Sequence, residues 1–186
     1  MFDTGEPTTG RELVAALDRL TRDGAQALGA LPVASFFAPQ GDRWSPAEHA
    51  RHLRRSSYPL VVAFRIPAFL LRLRFGRPRR ASRSFVQLRA DYRAALAAGG
   101  QAGRFAPPPE DRLADPDKRR GEILTAWSRT NARLGQLLQN WREDRLDAVQ
   151  LPHPLLGMLT IREMAAFTVY HTAHHLNLVM QRIGGA

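Results

Sequence analysis

A chain of 186 residues, 44% of them hydrophobic and none of them cysteine, can bury one core. It excludes disulfides, thiolate metal sites and a cysteine nucleophile, so any metal must be held by nitrogen and oxygen. The formal net charge is +10, and of the Lys and Arg residues all but Lys118 are arginine.

The opening MFDTGEPTTG has acidic residues and no basic run ahead of an apolar one. No secretory signal is read there, and the cytoplasm is the expected compartment. The first helix is expected from about Gly10 to Leu31, where Leu13, Leu17, Leu20, Ala27 and Leu28 recur at near-helical spacing. The second opens at WSPAEHARHL. Ser45 serves as N-cap, Pro46 takes the first helical position where no backbone donor is missed, and Glu48 completes a capping box. This helix is expected to reach about Phe75, with a kink at Pro59 or Pro67. Its apolar part, YPLVVAFRIPAFLL at 58–71, is interrupted by Arg65 and Pro67. That is short of the roughly 18 consecutive apolar residues of a membrane span, so it reads as a buried helix and the chain is not expected to be an integral membrane protein.

From Arg51 to Arg93 there are twelve arginines and a single acid, Asp91. A field of one sign draws anionic partners: acidic substrates, nucleic acid or phospholipid headgroups. The alternative is a solvated face in a protein whose arginine bias reflects a GC-rich genome. After the basic loop RPRRASRS comes a shorter helix near Phe85 to Ala98, and then a Gly/Pro-rich connection, GGQAGRFAPPPEDRLADP, with no hydrophobic period. Together these make an insertion over about 76–115. The third long helix spans about Pro116 to Trp141, with a stripe of Ile123, Leu124, Trp127, Leu134, Leu137, Leu138 and Trp141. The fourth starts at LTIREM, where Thr160 and Glu163 make a second capping box, and ends at a Gly184–Gly185 stop. No strand-period segment is read. The expected fold is all-α: a single domain over 1–186, a four-helix bundle with an extra short helix and loop between helices two and three.

The fourth helix carries YHTAHHLNL, which places three of the chain's six histidines within five positions. Ile161, Met164, Thr168, His171, His175 and Leu178 alternate spacings of three and four, the pattern of a buried seam. His171 and His175 therefore face the interior one turn apart, and His174 flanks them, rotated about 60° from His171. Burying two imidazoles costs free energy unless each finds a partner. A metal supplies one for both, because neutral imidazole nitrogens coordinate it and an i, i+4 pair brings them together. The alternative is core histidines bonded to Ser, Thr or backbone. A third ligand has to come from another helix: His52 or, one turn earlier, His49. Periodicity does not separate these two, and Glu48 beside them is claimed by the cap.

WSPAEHARHL, HPLLGMLTIREM and HTAHHLNL, in that order, resemble the DinB-like superfamily of metal-binding four-helix bundles, and most of all its DUF1569-type branch, marked by a His-Pro…Gly stretch followed by H-x-x-H-H-L-x-Q. The resemblance covers about Trp44 to Ile183 and implies a four-helix bundle of DinB-like type. It implies His52, His171 and His175 as ligands of a divalent metal (zinc, nickel or iron), with at least one coordination position open. It also implies a thiol S-transferase using a low-molecular-weight thiol, or a metal-dependent hydrolase. Arg51, Arg54 and Arg55, in the turns beside His52, would suit an anionic thiol cofactor or a carboxylated substrate, unless they are a solvated face. Leu178 stands where the branch has glutamine, and Asn177 points about 100° away. His153, in the His-Pro turn, reads as turn-forming.

The expected partner is a small anionic or electrophilic substrate. Nucleic acid is not expected, because the arginine stretch lacks interleaved exposed aromatics and a recognition helix. The remaining alternative is a metal-free bundle serving as a homodimeric scaffold or at a membrane surface.

Overall fold

The computed structural model describes residues 1–39, 41, 43–108, 110 and 114–183. Helix α1, Gly10–Gly29, starts from a capping box in which Thr9 accepts from the Glu12 N–H and the Glu12 carboxylate accepts from the Thr9 N–H. A single turn, α2 (Val33–Phe37), precedes α3 (Pro46–Ala63), which opens on the expected Ser45–Glu48 box. Then follow α4 (Ala68–Phe75), α5 (Phe85–Ala97), a 3₁₀ turn at Gly103–Phe105, and α6 (Pro116–Gln139), capped by Asp115. A hairpin of β1 (Gln150–His153) and β2 (Gly157–Thr160) leads directly into α7 (Ile161–Ile183). The four long helices α1, α3, α6 and α7 make the bundle: α1 and α3 each pack against both α6 and α7, while α5 lies on α7.

Three expectations change. The second helix stops at Ala63, not near Phe75. It runs through Pro59 and ends ahead of Pro67, whose ring disfavours helical backbone at Ile66 and which offers no N–H. The chain then turns by 106° into α4. That bend also corrects the buried-helix reading of 58–71. Leu60, Val61, Phe64 and Leu71 are buried, but Tyr58 on the outer side of α3 is 55% exposed, and on α4 Phe69 is 68% and Leu73 83% exposed, because α4 leaves the bundle and meets it through one face only. Finally, the chain is not free of strands. In the hairpin Gln150 pairs with Thr160 and His153 with Gly157, and Gly157 takes the left-handed φ of +71° that closes the turn. Two strands of four residues are too short to show a period. No single helix is long and apolar enough to cross a membrane. The expected Gly184–Gly185 stop lies outside the described residues.

The core has two apolar clusters. On each long helix the switch from one to the other falls at a buried polar residue: Thr21 on α1, Ser57 on α3, Asn131 on α6 and His175 on α7. The Asn131 amide donates to the Thr21 hydroxyl at 2.9 Å. Beside this layer Gly24 lets α1 approach α7, since a Cβ there would sit 2.6 Å from Leu176 Cδ1 and 3.0 Å from Trp127 Cη2, two side chains with almost no exposure.

The basic loop before α5 is tied down by one buried carboxylate. Glu163 receives both terminal nitrogens of Arg80 (2.6 and 3.0 Å), the backbone N–H of Arg83 (2.8 Å), its Nε (2.9 Å) and the Thr160 N–H (2.8 Å). Burial by itself would raise the Glu163 pKa, but these donors outweigh it and hold the group at about 2.

Two outcomes follow for stability. Gly24→Val forces overpacking between α1 and α7 and should cost about 1–3 kcal/mol, lowering Tm by roughly 2–10 °C. Glu163, with a folded pKa below its unfolded one, contributes stability that is present above about pH 4.5 and lost as pH falls toward 2. Glu163→Gln should therefore be less stable than wild type by about 3 kcal/mol at pH 7, with the gap in denaturant unfolding closing below pH 4.5. A gap independent of pH would contradict this account.

Candidate metal centre

The capping box fixes the first turn of α3, so His49 and His52 both point into the bundle, where they meet the inward histidines of α7. Three Nε2 atoms converge. His171 Nε2 lies 3.1 Å from His52 Nε2 and 3.0 Å from His175 Nε2, and all three residues are buried. A tetrahedral ion with metal–nitrogen bonds of about 2.0–2.1 Å separates its ligand atoms by about 3.3 Å, so the triad already has close to the spacing such an ion requires.

The far side of each ring supports this arrangement. His52 Nδ1–H donates to the Phe105 carbonyl at 3.0 Å, which leaves the His52 Nε2 lone pair bare. His175 Nδ1 lies 2.7 Å from His49 Nδ1; a proton on His175 Nδ1, donated to His49, likewise leaves His175 Nε2 bare and moves the His49 proton to Nε2. That His49 atom is buried with no partner among the described residues. His49 therefore sits behind His175, outside the group of converging atoms. Aromatic rings fix the orientations: Phe167 stacks on His171 with centroids 5.0 Å apart, and Trp44 lies 4.9 Å from His52 and 6.2 Å from His175.

All six histidines titrate below the ordinary range, and burial is the main cause each time. His171 and His175 are driven well down, aided by their neighbouring imidazoles. His52 is lowered by burial and by Arg55, against the raising effect of its bond to Phe105. His49 falls to about 3 and His153 to about 4, the latter with help from Arg83, and His174 is lowered by burial, Arg93 and Arg182. Neutral imidazole is the form that binds a metal.

The triad closes one end of a cavity of about 550 Å³. Trp44, Leu60, Tyr92, Phe105, Met164 and Phe167 supply apolar walls; Arg104, His153 and His174 supply polar groups. Among the described residues no carboxylate lines it. Tyr92, Arg104 and Phe105 come from the 76–115 segment, whose return over the bundle no motif announced. His153 does form its turn, since Nδ1 accepts from the N–H groups of Leu155 and Leu156 at 3.2 Å each. Leu178 is absent from the cavity wall, and Asn177 pairs with the backbone of Phe2 instead.

The three arginines singled out in sequence separate. Arg51 meets Glu110 at 2.7 Å and donates to the Pro108 carbonyl at 2.8 Å. Arg55 donates to the Arg104 carbonyl at 2.8 Å. Both thus brace the segment that closes the cavity. Arg54 and Arg55, with Tyr58, Arg104 and Phe105, line a smaller hollow of about 240 Å³ that shares Arg104 and Phe105 with the main one.

A family model described as the DinB superfamily matches residues 16–179. No curated protein matches the chain. Among solved structures, YfiT from Bacillus subtilis, described as a probable metal-dependent hydrolase with an unusual four-helix bundle topology, aligns with a TM-score of 0.61 at 14% identity, covering 94% of this chain and 87% of its own. The four-helix bundle protein TT2238 aligns with a TM-score of 0.56 at 21% identity, covering 93% and 99%. At these identities the likeness is one of fold.

Purified without an immobilised-metal column, the protein should carry close to one equivalent of a divalent metal by elemental analysis, and His52→Ala or His175→Ala should lose it. Full occupancy in either variant would remove the site. A pH dependence follows as well. The folded histidines resist protonation, so the unfolded chain takes up protons that the folded one does not. Stability should then fall as pH drops below about 6.5, and at least as steeply at saturating metal as with chelator, because imidazoles held by a metal take up no protons. A Tm unchanged from pH 7.5 to 5.5 would contradict this.

Proposed function

This chain belongs to the DinB superfamily, and on that premise we propose that His52, His171 and His175 hold a divalent cation that activates a nucleophile in the adjoining cavity, a small thiol in the first instance. The observation that carries the reading is the convergence of three Nε2 atoms on one end of a mostly apolar cavity without a carboxylate. When bound, the cation supplies Lewis acidity, which lets a thiol or a water lose its proton near neutral pH. Zinc, nickel and iron(II) all accept three imidazoles.

The chain's own groups have distinct parts in this reading. His174 is neutral, lines the cavity and packs against the rings of Tyr92 and Tyr170; it is an imidazole of the cavity wall outside the ligand set and so able to accept a proton there. His153 has its Nδ1 occupied by two backbone donors, so its proton resides on Nε2 and gives the cavity a neutral hydrogen-bond donor. The walls of Tyr92, Phe105 and Phe167 exclude water and receive an apolar electrophile. Arg54 and Arg55, at the neighbouring hollow, would hold the carboxylates of an anionic thiol. A thiol is preferred over water because it ionises more readily and so needs no carboxylate base. The second reading, hydrolysis, is supported by the description of YfiT as a probable metal-dependent hydrolase.

With glutathione, mycothiol or bacillithiol and a model electrophile, the metal-loaded protein should give thiol-dependent turnover that His175→Ala abolishes. His174→Gln should keep its metal yet lose about 10²–10⁴-fold in kcat, the usual span for a proton-transfer group. Arg54→Ala should raise KM for the thiol more than it lowers kcat. Ester cleavage that is indifferent to thiol would favour hydrolysis, and no metal-dependent turnover of either kind would remove both readings.

A further inference from the structure

The arginine-rich stretch contains a feature the metal site does not use. At the end of α3 and along α4, Val62, Ile66, Phe69, Leu70 and Leu73 are exposed. The opposite face of α4 anchors in the core through Leu71, with Ala68 and Phe75 packed beside it. Arg65, Arg72, Arg74, Arg77 and Arg79 lie in or beside α4, and among the described residues none of the five makes a side-chain hydrogen bond or ion pair. No acid occurs between Glu48 and Asp91. The bend at Pro67 turns α4 away from the axis of α3, so that it presents this surface outward.

We propose that α4 and the Ile66–Pro67 corner dock this protein on an anionic lipid surface. The charges choose the occupant. A second copy seated on the same patch across a two-fold axis would set five unpaired arginines against five more, and like charges repel. Nucleic acid would take the arginines but leave Phe69 and Leu73 with no apolar partner. An anionic bilayer satisfies both: the apolar side chains enter the boundary between headgroups and acyl chains, and the guanidinium groups sit among the phosphates. The attachment is peripheral and reversible, since one short helix buries little apolar area. It is independent of the metal reading.

Cosedimentation tests this with the full-length protein and vesicles of phosphatidylcholine alone or mixed with phosphatidylglycerol. The wild type should bind the mixed vesicles, weakly or not at all the neutral ones, and less as salt rises. Arg74→Ala combined with Arg77→Ala should weaken binding about 25-fold, taking each basic side chain as worth about fivefold at such a surface. Leu73→Glu should abolish it while leaving Tm and metal content unchanged, and His175→Ala should bind as wild type. Failure of the wild type to bind mixed vesicles overturns the proposal. So does equal binding to neutral vesicles, binding that survives Leu73→Glu, or a solution dimer that the same substitution disperses.

Discussion

Imidazole lone pairs aimed at one another inside a helical bundle repel unless a proton or a cation lies between them. Much of this structure serves to impose that arrangement. The Phe105 carbonyl takes the Nδ1 proton of His52, and His49 is placed to take that of His175. Burial keeps all the rings neutral. His52 and His175 both turn their bare nitrogens on His171 Nε2, whose single proton serves one of them well, whereas a cation takes all three nitrogens.

The position of the triad in the bundle explains the rest of the architecture. Each long helix changes from one apolar cluster to the other at a polar residue, and the histidines belong to that level. Apolar packing on both sides supplies the stability that a polar layer does not, and Gly24 allows the close α1–α7 contact beside it. On the open side the 76–115 segment returns over the site. Arg51 and Arg55 hold it by its carbonyls and by Glu110, so part of the arginine excess is spent inside the molecule. Arg80 and Arg83 are likewise consumed by Glu163. Arg65, Arg72, Arg74, Arg77 and Arg79, in or beside α4, keep no such partner among the described residues.

Capping boxes and helical periods were legible in sequence because they are local: Ser45 with Glu48 and Thr160 with Glu163 depend on neighbours three residues away, and the inward phase of His171 and His175 follows from spacing along α7. The choice between His49 and His52 was not legible. Both are buried on the same side of α3, and they differ in their phase relative to α7, a tertiary quantity. The exposure of Phe69 and Leu73 was hidden for a similar reason, since hydropathy reports what a helix could bury and not whether a partner arrives. The hairpin was too short to show alternation, and the walls given by Tyr92, Arg104 and Phe105 depend on the return path of a loop without a motif.

The central claim is that three imidazoles, and no other side chains, hold a divalent cation. X-ray absorption at the metal edge of protein purified without added metal tests it most directly. The account predicts a first shell containing three imidazole nitrogens, at about 2.0–2.1 Å if the ion is zinc, with the remaining position light and exchangeable, and loss of the imidazole scattering in His171→Ala. A shell of oxygen alone, or one unchanged by that substitution, would contradict it.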